Sequence, residues 1–244
     1  MIYFLTSSPS VCVDGPINPA NGFLDRLREA LGNNPLHALF VTTYPDDIPW
    51  SEHCSGCMRQ AFEDVGFRFA SYVLLDRRTA PQVRKLLKQC DFLILGGGHL
   101  PSQNTFLHEL GMPKLIKKFK GVVMGISAGT MNSARMAYAL PEESGEPGDE
   151  DFARLRPGLG LTEWRILPHY YHYKDLLVDG LRMYDDIAIP DSRKLNIPFF
   201  FFPDGTYLLG ENGTETIHGE FLMLKDGVVR RVAEDGQQTR LPLA

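Results

Sequence analysis

Residues 120–137 read Lys-Gly-Val-Val-Met-Gly-Ile-Ser-Ala-Gly-Thr-Met-Asn-Ser-Ala-Arg-Met-Ala. Val122-Val123-Met124 is an apolar run of strand length, and Thr130 to Ala137 reads as a helix. Between them stands Gly125-Ile126-Ser127-Ala128-Gly129, a G-x-S-x-G sequence. A serine on a sharp strand-to-helix turn is pushed out of the sheet into a strained, exposed position. The flanking glycines allow the tight turn, and their lack of side chains lets another molecule approach. The following helix offers free N–H groups and the positive end of its dipole, both suited to an oxyanion. Taken alone, the stretch also fits an ordinary tight turn that happens to contain serine.

Outward from this turn, strands and helices alternate. Ile2–Thr6 reads as an apolar strand, Asn21–Leu31 as an amphipathic helix and Leu36–Thr42 as a buried strand. Ser51 looks like the cap of a helix over Glu52–Val65; Arg68–Leu75 is a strand and Ala80–Lys88 a helix. Asp91–Leu95 is a strand running into Gly96-Gly97-Gly98, and Thr105–Leu110 and Lys114–Phe119 are short helices. The alternation predicts an α/β fold with a mostly parallel sheet flanked by helices. The last fifty residues change character: Phe199–Phe202, Tyr207–Leu209 and Phe221–Leu224 read as antiparallel strands. Pro203-Asp204-Gly205, Glu211-Asn212-Gly213 and Lys225-Asp226-Gly227 read as hairpin turns. One domain over residues 1–244 is expected. Pro141–Asp151 is an acidic loop whose composition fits a solvated surface.

Composition narrows the function. A net charge of −5 and a pI near 5.8 argue against nucleic acid or anionic membrane as partner. No apolar run reaches the length of a membrane span, and Met1–Leu5 lacks the basic start of a signal peptide, so a cytoplasmic location is expected. Cys54-Ser55-Gly56-Cys57 is a C-x-x-C, but Cys12 and Cys90 do not form the second pair that a structural zinc site needs. Cys54, Met58 and Phe62 share one helix face, which reads as buried thiols rather than as a redox or metal site. His53 and Cys57, four apart, leave a weak metal reading open. No metal and no cofactor is expected.

A serine nucleophile needs a base, a group to orient it and oxyanion donors. Of the seven histidines, His37, His53 and His108 lie in or beside elements remote from the serine turn. His169 stands out, because Trp164–Leu167 reads as a strand that ends in Pro168-His169-Tyr170. Ligands in open α/β sheets bind at strand carboxyl ends.

The chain resembles the peptidase E (aspartyl dipeptidase) family, serine peptidase family S51, whose fold is similar to class I glutamine amidotransferases. The resemblance rests on Gly96-Gly97-Gly98 with Gln103-Asn104-Thr105-Phe106, on Gly125–Gly129, on Pro157-Gly158-Leu159-Gly160-Leu161, on Leu167-Pro168-His169-Tyr170 and on Pro203-Asp204-Gly205-Thr206, in the family's order. It implies that Ser127 attacks a scissile carbonyl and that His169 takes its proton and passes it to the leaving amine. It also implies an oxyanion hole from the backbone N–H groups of Ala128 and Gly98, with Gly97 against the substrate. The family's usual acid lies about fifteen residues beyond its serine, which points to Glu142 as the third member. The activity implied is that of a serine exopeptidase on short peptides, with a homodimer possible.

The chain departs from the family in places. His99-Leu100-Pro101-Ser102 separates the glycines from Asn104-Thr105-Phe106, and Leu167 replaces the acid of cyanophycinase-like members. The Gly-Glu-Thr-Arg signature that holds an acidic substrate side chain is missing, which leaves Arg182 or Arg193 as candidates for that role. Two other readings compete. An α/β-hydrolase esterase would take a base near the C-terminus, His218. A binding module that has lost its chemistry would keep the fold without turnover.

Overall fold

The computed structural model describes residues 1–10 and 15–242. Cys12 lies outside the described residues. In chain order come β1 (Ile2–Thr6), α1 (Phe23–Leu31), β2 (Leu36–Val41), α2 (Ile48–Asp64), β3 (Phe69–Leu75), α3 (Val83–Gln89), β4 (Phe92–Leu95), α4 (Leu100–Glu109) and α5 (Met112–Leu115). Then follow β5 (Val122–Ile126), α6 (Ala128–Asn132), β6 (Met136–Tyr138), β7 (Leu155–Pro157), β8 (Ile166–Pro168) and α7 (Tyr170–Tyr173). The rest comprises β9 (Leu177–Val178), β10 (Leu181–Arg182), α8 (Ile189–Leu195), β11 (Phe199–Phe202), β12 (Tyr207–Glu211), β13 (Thr214–His218), β14 (Phe221–Lys225), β15 (Val228–Ala233) and β16 (Gln238–Arg240).

The main sheet runs β16-β13-β12-β1-β5-β4-β2-β3, and β1, β5, β4, β2 and β3 are mutually parallel. Its central strands are apolar throughout because both faces are covered. On β4, Phe92 and Ile94 face one core with α1 and α2, and Leu93 and Leu95 face another with α3 and α4. On β5, Met124 and Val123 divide in the same way. Edge-on packing of Phe62 from α2 against Phe92, centroids 5.5 Å apart, ties the first layer to the sheet. The α/β class read from the sequence is the class observed.

Several elements differ from the sequence reading. Helix α2 begins four residues earlier than expected, because Asp47 caps it by accepting from the Trp50 N–H at 3.0 Å, and Pro49 fits its first turn. Ser51 lies inside the helix, donating from Oγ to the Tyr44 carbonyl at 2.7 Å. The helix after the serine turn stops at Asn132, and Met136–Tyr138 form a strand instead.

The C-terminal strands divide between two sheets. β12, β13 and β16 extend the main sheet antiparallel from β1, whereas β11, β14 and β15 join β8 in a second sheet ordered β15-β14-β11-β8. Pro203-Asp204-Gly205 is therefore no hairpin turn; it carries the chain from one sheet to the other. The histidine strand likewise belongs to the second sheet, where β8 pairs parallel with β11. The two sheets meet over Leu5, Phe202, Leu208 and Ile217, all buried.

Candidate active site

Three strand ends converge, and the end of β1 fixes the first. Leu5 and Thr6 pair with Gly125 and Ile126 of β5. Thr6 Oγ1 donates to the Gly125 carbonyl at 2.8 Å, and Thr130 Oγ1 donates to the Thr6 carbonyl at 2.8 Å. The Ser127 N–H donates to the carbonyls of Ser7 and Thr6, at 3.1 and 3.2 Å. Held this way, Ser127 adopts φ 48° and ψ −108°, a conformation that costs a side-chain-bearing residue ~1–3 kcal/mol and lifts Oγ clear of the strand. Gly129 allows it, since a Cβ there would overlap the Leu95 carbonyl.

The glycine run after β4 forms the second end. The Gly96 N–H donates to the Val41 carbonyl at 2.9 Å, Gln103 Nε2 donates to the Gly96 carbonyl at 2.9 Å, and Thr43 Oγ1 donates to the Gly97 carbonyl. A Cβ at Gly97 would sit 3.5 Å from Ser127 Cβ, so this bare backbone lies against the serine. Gly98 has φ +130° and faces Thr43, leaving no room for a side chain.

Beneath both ends runs a buried polar network. Asn132 Nδ2 donates to Gln103 Oε1 at 3.1 Å and to the Leu100 carbonyl at 3.2 Å, and Asn104 Nδ2 donates to Asn132 Oδ1 at 2.9 Å. Gln103 and Asn132 are fully buried. The Gln103-Asn104 pair thus locks the glycine loop to the helix behind the serine.

The third end carries His169. Pro168 pairs with Phe202 in register, so the residues that follow β8 and β11 emerge side by side. His169 has φ 100°, its N–H donates to the Phe202 carbonyl at 3.3 Å, and its Nδ1 lies 2.8 Å from Asp204 Oδ1. Ser7 Oγ donates to the same oxygen at 2.6 Å and stands 3.5 Å from Nδ1. Burial is the largest influence on the Asp204 carboxyl and pushes it up. His169, Ser7 and His172 together outweigh burial, and its pKa falls below the usual carboxylate value.

Ser127, His169, Gly97, Gly98 and Glu142 line a single cavity of about 470 Å³. Ala128 opens α6 directly after the serine. Two expectations are corrected. The group bonded to His169 is Asp204, not Glu142. Glu142 lies in the cavity wall, its N–H donating to Glu146 Oε2 at 2.8 Å. Burial above all, then repulsion from Glu146 and Glu143, push its carboxyl up to about 8. Arg182 is exposed, pairs with Asp185 and Asp186 at 3.0 and 3.4 Å and does not line the cavity.

The acidic loop is also less free than its composition suggests. Ser144 Oγ and the Gly145 N–H donate to Asp179, each at 2.7 Å, and Glu146 Oε1 is 2.7 Å from His99 Nε2. His99, Glu143 and Glu146 bring ligand-type atoms within 4.8 Å of one another, but the His99–Glu146 contact and the bonds to Glu146 already occupy two of them. His218 stacks on Tyr207 with centroids 4.8 Å apart, away from the cavity. Burial first, then the nearby Arg26 charge, push its pKa down to about 4. Among the described residues, no helix is long and apolar enough to cross a membrane.

Known structures repeat this fold. A peptidase from an acI-B1 Actinobacterium superposes with a TM-score of 0.68 at 16% identity, over 98% of this chain and 96% of that one. A putative peptidase E protein from Listeria monocytogenes EGD-e gives 0.56 at 17% identity, over 99% and 98%. No curated protein matches the sequence. The family model of peptidase family S51 matches residues 23–197, and the chain belongs to that family of peptidases.

Proposed function

We propose that this peptidase is a serine exopeptidase acting on short peptides, with Ser127 as nucleophile, His169 as base and Asp204 as the group that orients it. The observation that carries the reading is the 2.8 Å contact between His169 Nδ1 and Asp204, with His169 lining the cavity that also holds Ser127 in its strained turn. With Nδ1–H donating to the carboxylate, Nε2 is left as the acceptor that a base requires. Ser127 Oγ attacks the scissile carbonyl as Nε2 takes its proton, giving a tetrahedral oxyanion. The N–H groups of Ala128 and Gly98 stabilise that charge. Collapse expels the amine, which receives the proton from His169; water then enters, gives its proton to the same nitrogen and hydrolyses the acyl-enzyme.

The experiment is fluorophosphonate labelling of wild type, Ser127→Ala and His169→Ala, with a dipeptide panel assayed alongside. The expected result is labelling of wild type only, with turnover of some dipeptides. Folded wild-type protein that neither labels nor cleaves would overturn the reading in favour of a binding module.

A further inference from the structure

The cavity is built from two kinds of surface. One wall is apolar and continuous with the serine turn: Ile126 beside Ser127, then Phe40, Met58 and Ala61, reaching Trp50, half exposed at 48%. Phe40 lies directly under the glycine loop, its ring 2.9 Å from where a Gly96 Cβ would be. The acidic side chains on the lining are Glu142 and Glu143; among the described residues no arginine or lysine lines it. Its two histidines are engaged, His169 with Asp204 and His99 with Ser102 and Glu146. The nearest sequence candidates for holding an acidic side chain are elsewhere: Arg182 on its own aspartates, and Arg193 beside the Gly227 carbonyl.

Resting on the peptidase reading above, we propose that this site selects peptides whose first residue is large and apolar, its side chain against Phe40, Met58 and Trp50 and its free α-ammonium facing Glu142 and Glu143. An amino-terminal aspartate would bring a carboxylate into a cavity whose described lining offers it no arginine or lysine and sets it beside two acidic side chains. An aliphatic or aromatic side chain finds matching surface and leaves water. The same acids suit an ammonium group: burial, Glu146 and Glu143 push the Glu142 carboxyl up to about 8, and a cation placed beside it favours its ionised form.

The test measures kcat/KM of the full-length protein on Phe-Leu, Leu-Leu, Ala-Leu, Asp-Leu and N-acetyl-Leu-Leu, with fluorophosphonate labelling of Ser127 run in parallel. We expect Phe-Leu and Leu-Leu at least ~10-fold above Ala-Leu and ~30-fold above Asp-Leu, with acetylation removing turnover. Glu142→Gln should raise KM for Leu-Leu more than it lowers kcat. Met58→Arg, which adds a cation to the apolar wall, should move the Asp-Leu to Leu-Leu ratio at least ~10-fold toward aspartate. Labelled enzyme that prefers Asp-Leu, or that cleaves the acetylated peptide equally well, overturns this inference and leaves the peptidase reading standing. Labelled enzyme that cleaves none of the panel overturns it likewise. Absence of both labelling and cleavage overturns the two together.

Discussion

Asp204→Asn removes one charge and little volume, so it isolates what the carboxylate does for His169. In the proposed mechanism, loss of the Ser127 proton turns the imidazole into an imidazolium whose positive centre lies ~4 Å from the carboxylate. At an effective dielectric constant of ~20 that attraction is ~4 kcal/mol. The Asp204 side chain is 45% exposed, and water screens part of the field. We therefore expect a loss of ~2–3 kcal/mol of transition-state stabilisation, ~30- to 150-fold in kcat/KM. The loss should fall on kcat, because Asp204 sits behind the ring and does not line the cavity that receives substrate. Ser7 Oγ, 3.5 Å from Nδ1, can take over as acceptor and sets a floor under the residual activity. The assay is steady-state kinetics on the best dipeptide, with the second-order rate of fluorophosphonate labelling and circular dichroism as controls for reactivity and folding. A folded Asp204→Asn enzyme with kcat within threefold of wild type would refute the assignment. So would a Glu142→Gln enzyme that loses kcat by the factor expected here.

Three further outcomes follow from the geometry. Glu142 is held near 8 in the folded chain against an ordinary 4.5, so between these values the unfolded chain is ionised while the folded one keeps its proton, and stability falls as pH rises through that window. The full shift corresponds to at most ~5 kcal/mol, which relaxation reduces. Glu142→Gln should therefore raise stability by ~1–3 kcal/mol at pH 8 and by little at pH 4.5, read from urea midpoints. Asn132→Leu strands the amides of Gln103 and Asn104 in a dry interior and should cost ~2–4 kcal/mol by the same measurement, with slower labelling of Ser127. Gly98→Ala must abandon φ +130° or displace Thr43; a drop in kcat of at least ~100-fold with retained circular dichroism is the expected result, and unchanged kcat would remove Gly98 from the oxyanion hole.

Parts of this site were legible in the sequence because their cause is local. The serine turn needs a buried strand, small residues and a helix start within a dozen positions, and all of these are contiguous from Val122 to Asn132. The glycine run shows itself in the same way. What failed also failed locally: the expected Ser51 cap competed with Asp47 three residues into a Pro-containing first turn, where two acceptable caps stand close together. The sequence predicts too long a helix after Ser127 because Ser133, Ala134 and Arg135 carry no stop signal. Contacts with the 158–162 segment end it, with the Arg135 N–H donating to the Thr162 carbonyl at 2.7 Å.

Asp204 belongs to a different class of miss. Its sequence neighbours, Pro203 and Gly205, signal a turn, and between two strand-like runs a turn reads as a hairpin. In a hairpin, Asp204 would be a solvent-facing turn residue with no route to His169. The actual β11 leaves its neighbour β12 to another sheet and pairs parallel with β8, a strand more than thirty residues earlier in the chain. Parallel pairing makes Pro168 and Phe202 register partners. Residues one and two positions beyond them then leave the sheet together, and a histidine and an aspartate that share no local pattern meet at 2.8 Å. Glu142 looked better in one dimension because its distance from Ser127 can be counted, whereas strand pairing cannot. Its surroundings include two other glutamates, Glu146 and Glu143, and its backbone N–H bonds to Glu146, whereas the carboxylate bonded to His169 is that of Asp204. The proposed division of labour, with one acid behind the base and the others facing the substrate's amine, is what Asp204→Asn and Glu142→Gln separate: the first is expected to act on kcat, the second on KM.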